Sequence, residues 1–231
     1  MTARGASDAR MRTVLAPRRT SHPRAMVIAA AMATAAAVLG ACGSDYTYVK
    51  AENRAVFKVP GEWAVFRVDG DDGAVRPQAM DLGGERPWVT AIDADPSPDL
   101  AHLDDPAPAH PVGLVRIVPL DRSTRDGLSR STLRAQSTGG TVDPFGAVRD
   151  GDPAFELVSF EELSPAGDAT GERIRFNQRL DDGTWITVDH SYFFDPVDAR
   201  AYLFTVRCSS VCFEANVSTI TNLVTSWKVR A

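Results

Sequence analysis

Lysine is nearly missing from this 231-residue chain, which holds 25 basic residues but lysine only at positions 50, 58 and 228. Cysteine is also scarce, with three residues, and histidine with four. Counts this low exclude a disulfide-dense scaffold and leave too few ligands for a Cys/His zinc array. Excess positive charge is missing as well: the net charge is −5, so a nucleic-acid partner is not expected. No apolar run reaches the ~20 residues that a membrane-spanning helix requires. The catalytic signatures are absent too. The nearest approach to a Gly-x-Ser-x-Gly elbow is Gly127-Leu-Ser-Arg-Ser131, which lacks the second glycine, and there is no zinc-protease, Walker or dinucleotide motif.

What is present begins at the N-terminus. Six arginines against one acid, Asp8, fill the first 24 residues, and an uncharged apolar run from Ala25 to Leu39 follows. A basic flank and an apolar stretch of this length form a signal peptide. At 1.5 Å per residue the run covers roughly 22 Å, short of a ~30 Å hydrocarbon core. Met11 would serve equally as the start. The pair Arg18-Arg19 is followed by Thr20-Ser-His-Pro23, without the apolar residues of a twin-arginine motif.

The run closes on Leu39-Gly40-Ala41-Cys42, which resembles the lipobox of bacterial lipoproteins. The resemblance implies a diacylglyceryl thioether on Cys42 and cleavage just before it. Two acyl chains hold a protein stably on a bilayer, where one does so only marginally. Residues 1–41 are thus expected to be removed, 42–54 to form a lipidated N-terminus and tether, and 55–231 to form one globular domain on the outer face of the cell membrane. The tether, at ~3.3 Å per residue, reaches at most ~40 Å.

Beyond Cys42 remain 19 basic against 29 acidic residues, about −10. An anionic bilayer should repel such a domain, which leaves the lipid as its expected attachment. Cys208-Ser-Ser-Val-Cys212 reads as a small disulfide loop at a strand-to-helix turn, with free thiols as the alternative. A metal reading finds two ligands of four.

Strand signals cover Ala55 to Val59, Trp63 to Val68, Trp88 to Ile92 and Gly113 to Val118. Between Asp93 and Pro111, five prolines and five aspartates predict a solvated, partly mobile loop. Ser123 to Gln136 reads as one helix with Asp126 as N-cap, and Ser137 to Pro153 as loop. Four strand-length segments, Phe155 to Leu163, Glu172 to Leu180, Thr184 to Phe194 and Arg200 to Cys208, predict an antiparallel meander. Within it, Leu180-Asp-Asp-Gly-Thr184 closes a hairpin. A three-residue loop with Gly183 left-handed sets Phe176 against Val188, Arg175 against Asp189 and Arg179 across from Trp185, so apolar meets apolar and charge meets countercharge. Arg173, Arg175 and Arg179 then line one face, read as solvated. Phe213, Val217, Ile220, Val224 and Trp227 recur at helical spacing and predict a terminal amphipathic helix with one wet side.

Two segments, Val56-Phe-Lys-Val-Pro-Gly-Glu-Trp63 and Ile220-Thr-Asn-Leu-Val-Thr-Ser-Trp-Lys-Val229, resemble the PsbP-like fold as it occurs in lipoproteins of high-GC Gram-positive bacteria. The resemblance implies an α+β fold, an antiparallel sheet sandwiched by helices, over roughly residues 55 to 230. Segment 93–111 stands outside the pattern as an insertion. Relatives of this fold bind protein partners without a shared active site, so no catalytic residue carries over.

The remaining candidates for chemistry are weak. His102 and His110 lie in the proline-rich segment and read as solvated. His190 neighbours Asp189, but adjacent strand residues face opposite sides, so the acid does not orient the imidazole. Asp93-Ala-Asp-Pro-Ser-Pro-Asp99 spaces oxygens like a calcium loop but lacks the glycine such loops need. Asn216-Val-Ser218 matches a glycosylation sequon and carries little weight in a bacterial lipoprotein. The expectation is a lipid-anchored, non-enzymatic envelope protein without cofactor or metal, binding an unidentified envelope protein. The alternative is a carrier of an apolar small molecule between sheet and helix, which requires a cavity of a few hundred Å³.

Overall fold

The structure is a computed structural model and describes residues 45–51, 54–68, 87–137, 153–164 and 169–229. The expected signal peptide, Cys42 and most of the stretch read as loop after Ser137 lie outside the described residues. The elements in chain order are β1 (Tyr46–Ala51), β2 (Ala55–Pro60), β3 (Ala64–Val68), β4 (Trp88–Asp93), β5 (Val112–Pro119), α1 (Arg122–Gly127), α2 (Arg130–Ser137), β6 (Phe155–Leu163), β7 (Thr170–Arg179), β8 (Trp185–Asp195), β9 (Arg200–Ser209), α3 (Ser210–Thr225) and β10 (Lys228–Val229). No helix among the described residues is long and apolar enough to cross a membrane.

Seven strands form one sheet in the order β3-β4-β5-β9-β8-β7-β6, and β1-β2-β10 form a second. Every pairing is antiparallel. The predicted meander is β6 to β9, and its central hairpin has the expected register: Phe176 faces Val188, Arg175 faces Asp189 and Arg179 faces Trp185. Gly183 sits at φ 88°, the left-handed region that glycine enters without a Cβ clash.

Alternation along β8 and β9 sends side chains to both faces of the large sheet, and both faces are covered. One face packs Val115, Ile117, Phe204 and Val206 against α3 and the small sheet, with Phe57, Trp63 and Trp227 filling the layer. The other packs Val118, Ile174, Phe176 and Leu203 under Leu128 and Leu133 of the α1–α2 segment. This is the antiparallel sheet between helices that the sequence implies. In α3, Phe213, Ile220, Leu223 and Val224 are buried, each contributing roughly 1.5–3 kcal/mol. Val217, expected on that face, is 40 % exposed, and Leu223 takes its place. The Cys208–Cys212 disulfide joins the end of β9 to the first turn of α3, with Cα atoms 5.9 Å apart.

Three expectations need correction. Much of the expected tether is strand: β1 pairs with β2 from Tyr46↔Pro60 to Ala51↔Ala55, leaving only positions 43–45 between Cys42 and the first strand. The single helix over 123–136 is two, α1 and α2. Asp121, not Asp126, caps the first by accepting from the Thr124 amide at 2.7 Å, and the Ser129 hydroxyl accepts from the Thr132 amide to start the second. Gly127 ends α1, consistent with its poor helix propensity.

The third correction concerns segment 93–111, which is ordered against the sheet. Asp93 is 2 % exposed, and its carboxylate accepts from the amides of Asp95 and Asp99, both at 2.9 Å. Leu100 and Leu103 pack beside Val68, Val89 and Ala91. Arg207 donates to the carbonyls of Leu103 and Pro106 at 2.7 and 3.1 Å. The aspartates serve backbone amides where calcium coordination was the alternative, and no group of three or more potential metal ligands occurs among the described residues.

Candidate functional site

Strand β7 supplies charge to both faces of the large sheet, because consecutive residues alternate sides. On the α2 side, Glu172 receives Arg134 Nε at 2.8 Å and Nη2 at 2.5 Å, and the Tyr192 hydroxyl donates to the same carboxylate. Glu172 is fully buried, and the Phe160 ring lies 4.8 Å from the Arg134 guanidinium. Burial, reinforced by the neighbouring Glu172, pushes the Tyr192 hydroxyl far above the ordinary phenol range. One cation meets one anion here, each geometrically satisfied.

On the α3 side the arithmetic differs. Asp189, also fully buried, accepts from Arg173 Nε and Nη2 at 2.8 and 2.7 Å and from Arg175 Nε and Nη2 at 2.9 and 2.7 Å. Arg175 also reaches the Thr221 hydroxyl at 3.2 Å and stacks 5.2 Å from the Phe213 ring. The arginine face read as solvated is therefore roofed by α3. Arg173 and Arg175 share one carboxylate, and Glu161 of β6 stands opposite Arg173 as a second nearby anion, while Arg179 lies beyond, in the exposed end of the strand.

Beside this cluster a cleft of about 570 Å³ opens between β6–β8 and the end of α3. Phe193 and Ser191 of β8 line one side, Val224 and Trp227 the other, with Leu163 and Val229 at its margins and the facing residues Arg173 and Glu161 also in its lining. Gly171 makes room for the Phe193 ring: a Cβ there would lie 2.5 Å from Phe193 Cδ1 and 2.3 Å from the Tyr192 carbonyl oxygen. Ser191 Oγ and Trp227 Nε1 are buried without a hydrogen-bond partner among the described residues. An unmade bond at a buried polar group costs about 1–3 kcal/mol. Cleft-lining residues thus combine apolar surface with the charged pair Glu161 and Arg173, and two of them, Ser191 and Trp227, carry buried donors without a partner. Each residue is separately visible in the sequence, but their convergence depends on β10 and α3 folding back over β7 and β8, which no local pattern announces.

A second cleft, about 450 Å³, lies on the α2 side, lined by Ser129, Ser131, Arg134, Phe160 and Glu162 among others. Its buried charges are already paired.

The histidines do not meet either cleft. His190 is buried on the α2 side with Nδ1 2.6 Å from the Thr205 hydroxyl. Burial, partly offset by Asp189, lowers its pKa to about 4. His102, expected to be solvated, binds Asp93 through Nδ1 at 2.8 Å, and that hydrogen bond holds the imidazole above its ordinary pKa. Burial pulls the Asp93 carboxyl upward, but the Asp95 amide and His102 outweigh it and hold it below the usual range. His110 lies 3.7 Å from Asp95. Asn216, of the sequon, donates to the Cys212 carbonyl within α3.

Neither a known protein family nor a curated protein matches the sequence. Among solved structures, the chain is similar to the cyanobacterial PsbP protein CyanoP of Synechocystis sp. PCC 6803, at 15% identity and TM-score 0.50, over 83% of this chain and 99% of that one. It is also similar to LpqN of Mycobacterium tuberculosis, described as involved in cell envelope biogenesis, at 9% identity and TM-score 0.44, over 80% and 91% of the two chains. The Ran-binding protein Mog1p of Saccharomyces cerevisiae matches at 7% identity and TM-score 0.42, over 80% and 95%. The CyanoP likeness shows a PsbP-like fold.

Proposed function

We propose that this chain is a lipid-anchored, non-enzymatic binding protein on the outer face of the cell membrane, and that it carries an amphiphilic small molecule in the cleft beneath α3. The observation that carries this reading is the cleft itself. Its volume falls in the range of small-molecule sites, ≈ 300–1,000 Å³. Its lining joins apolar side chains to the unpaired donors of Ser191 and Trp227. A polar head group meets Arg173, Glu161 and Lys228 in the lining, and an apolar tail covers Phe193, Leu163 and Val224.

The sequence alone ranks a protein partner first, and the cleft reverses that order. The exposed apolar side chains of α3, Val211 and Val217, are single residues of the kind any soluble surface carries. The non-enzymatic part of the reading draws support from His190, which faces the opposite side of the sheet from Ser191 and so does not serve it as a base.

Native mass spectrometry of the protein extracted from its own membrane, followed by displacement of a dansyl-labelled fatty acid, tests the carrier reading. A co-purified amphiphile, or saturable probe binding lost in Leu163→Trp, is expected. Absence of both sinks it. The address is tested separately by intact mass: Cys42→Ala should remove the diacyl increment and release the protein from the membrane.

A further inference from the structure

All three lysines of the chain fall on one face of the small sheet. Lys50 lies on β1, Lys58 on β2 and Lys228 on β10. Their registers, Lys50↔Val56, Tyr48↔Lys58 and Lys228↔Val56, align them on the same side. Residues of opposite parity, Ala51, Ala55, Phe57, Val59 and Val229, point into the core. Tyr46 and Tyr48 share the outer face, 39 % and 60 % exposed, and Lys58 Nζ lies 5.6 Å from the Tyr48 ring. None of the three strands contains an acid. Asp45, Glu52 and Glu62 flank the three strands in sequence.

We propose that this lysine and tyrosine face lies against the anionic surface of the bilayer. Three arguments support the assignment. Charge is segregated: a domain of about −10 places every lysine and no strand acid on this one surface. The chemistry suits a headgroup layer, where lysine stems lie along apolar surface with the ammonium in water, and tyrosine rings sit at the interface. Chain continuity also places it there, because β1 begins four positions after Cys42. This last argument rests on the lipid anchor proposed above; the first two do not. Lys228 also borders the ligand cleft, so the cleft adjoins the face from which an amphiphile would arrive.

Each lysine near an anionic surface contributes about a five-fold preference, so three favour the face-down orientation by on the order of 100-fold. The preference falls with salt. The test uses protein extracted with its lipid and reconstituted into vesicles of phosphatidylcholine, with or without phosphatidylglycerol. Amine acylation is read at each lysine by mass spectrometry. Labelling of Lys50, Lys58 and Lys228 should be several-fold slower with phosphatidylglycerol and recover in high salt; equal rates overturn the proposal. The charge-reversed variant K50E/K58E/K228E should keep its acyl mass and melting temperature but lose phosphatidylglycerol-dependent protection of the β1 amides. Protection that persists in this variant assigns it to the anchor alone and overturns the proposal. Equal lysine protection by soluble heparin without vesicles reassigns the face to a polyanion partner, and likewise overturns it. A missing acyl group with lysine protection intact breaks the anchor and spares the face, and the cleft is read independently by probe binding.

Discussion

The two faces of the seven-stranded sheet hold their buried charges differently. Toward α2, Arg134, Glu172 and Tyr192 form a matched set in which every carboxylate oxygen has a donor. Toward α3, two guanidiniums share Asp189 beside a cleft whose lining includes two unpaired donors. Burying charge is costly unless pairing is complete. The α2 cluster is closed on itself, whereas the α3 cluster adjoins open space, where Glu161 faces Arg173 at the edge of the cleft. The same strand feeds both, through Glu172 on one side and Arg173 and Arg175 on the other.

Removing the shared anion should have the largest effect. Asp189→Asn removes the buried carboxylate that Arg173 and Arg175 share and is expected to cost about 3–5 kcal/mol in urea unfolding. Glu172→Gln removes the countercharge of only one, so it should cost less. The reverse ranking would break the comparison.

Acid should act next, on the α2 face. His190 titrates near 4 when folded and near 6.5 when unfolded, so the unfolded chain takes up the proton first. Stability contributed by the neutral imidazole is present above pH 6.5 and declines by up to about 3 kcal/mol as the pH falls toward 4. His190→Asn should flatten this part of the pH–stability curve. His102 works in the opposite sense: Asp93 raises its folded pKa, which favours the folded state below pH 6.5, so His102→Gln should steepen the acid loss.

Smaller effects belong to α3. Reduction of Cys208–Cys212, or the double change to alanine, opens a very short loop and is expected to cost about 2 kcal/mol by the chain-entropy model. Thermal unfolding with and without reductant measures it, and a much larger loss would mean that the bridge also holds the cleft wall. Val217→Ser, on the exposed side of α3, should change stability by no more than about 0.5 kcal/mol, and a larger loss would show that this side is covered.

How legible these features were depended on how local their causes are. The hairpin at Gly183 could be read to the residue, since a left-handed glycine and three facing pairs lie within one stretch of chain. The disulfide was legible from spacing. β1 was not, because Tyr-Thr-Tyr-Val-Lys-Ala buries only its last residue fully and becomes a strand by pairing with β2. Arg173 and Arg175 read as solvated because the helix that covers them follows much later in the sequence. Segment 93–111 misled through its composition: prolines and aspartates usually mean solvent, yet one buried carboxylate, Asp93, organises the turn through backbone amides. In α3 the periodicity was right, but the buried stripe passes through Leu223 and misses Val217.

The pairing of β2 with β10 sets an order of events. A strand near the start of the domain takes its neighbour from the far end, so the small sheet is completed only when the last segment arrives. As the chain is made, the amino-terminal strands appear first and wait, with Ala55 and Phe57 uncovered, for Trp227 to Val229. Assembly of the small sheet is thus a closing of the chain upon its own beginning, and it depends on β10 as much as on β1.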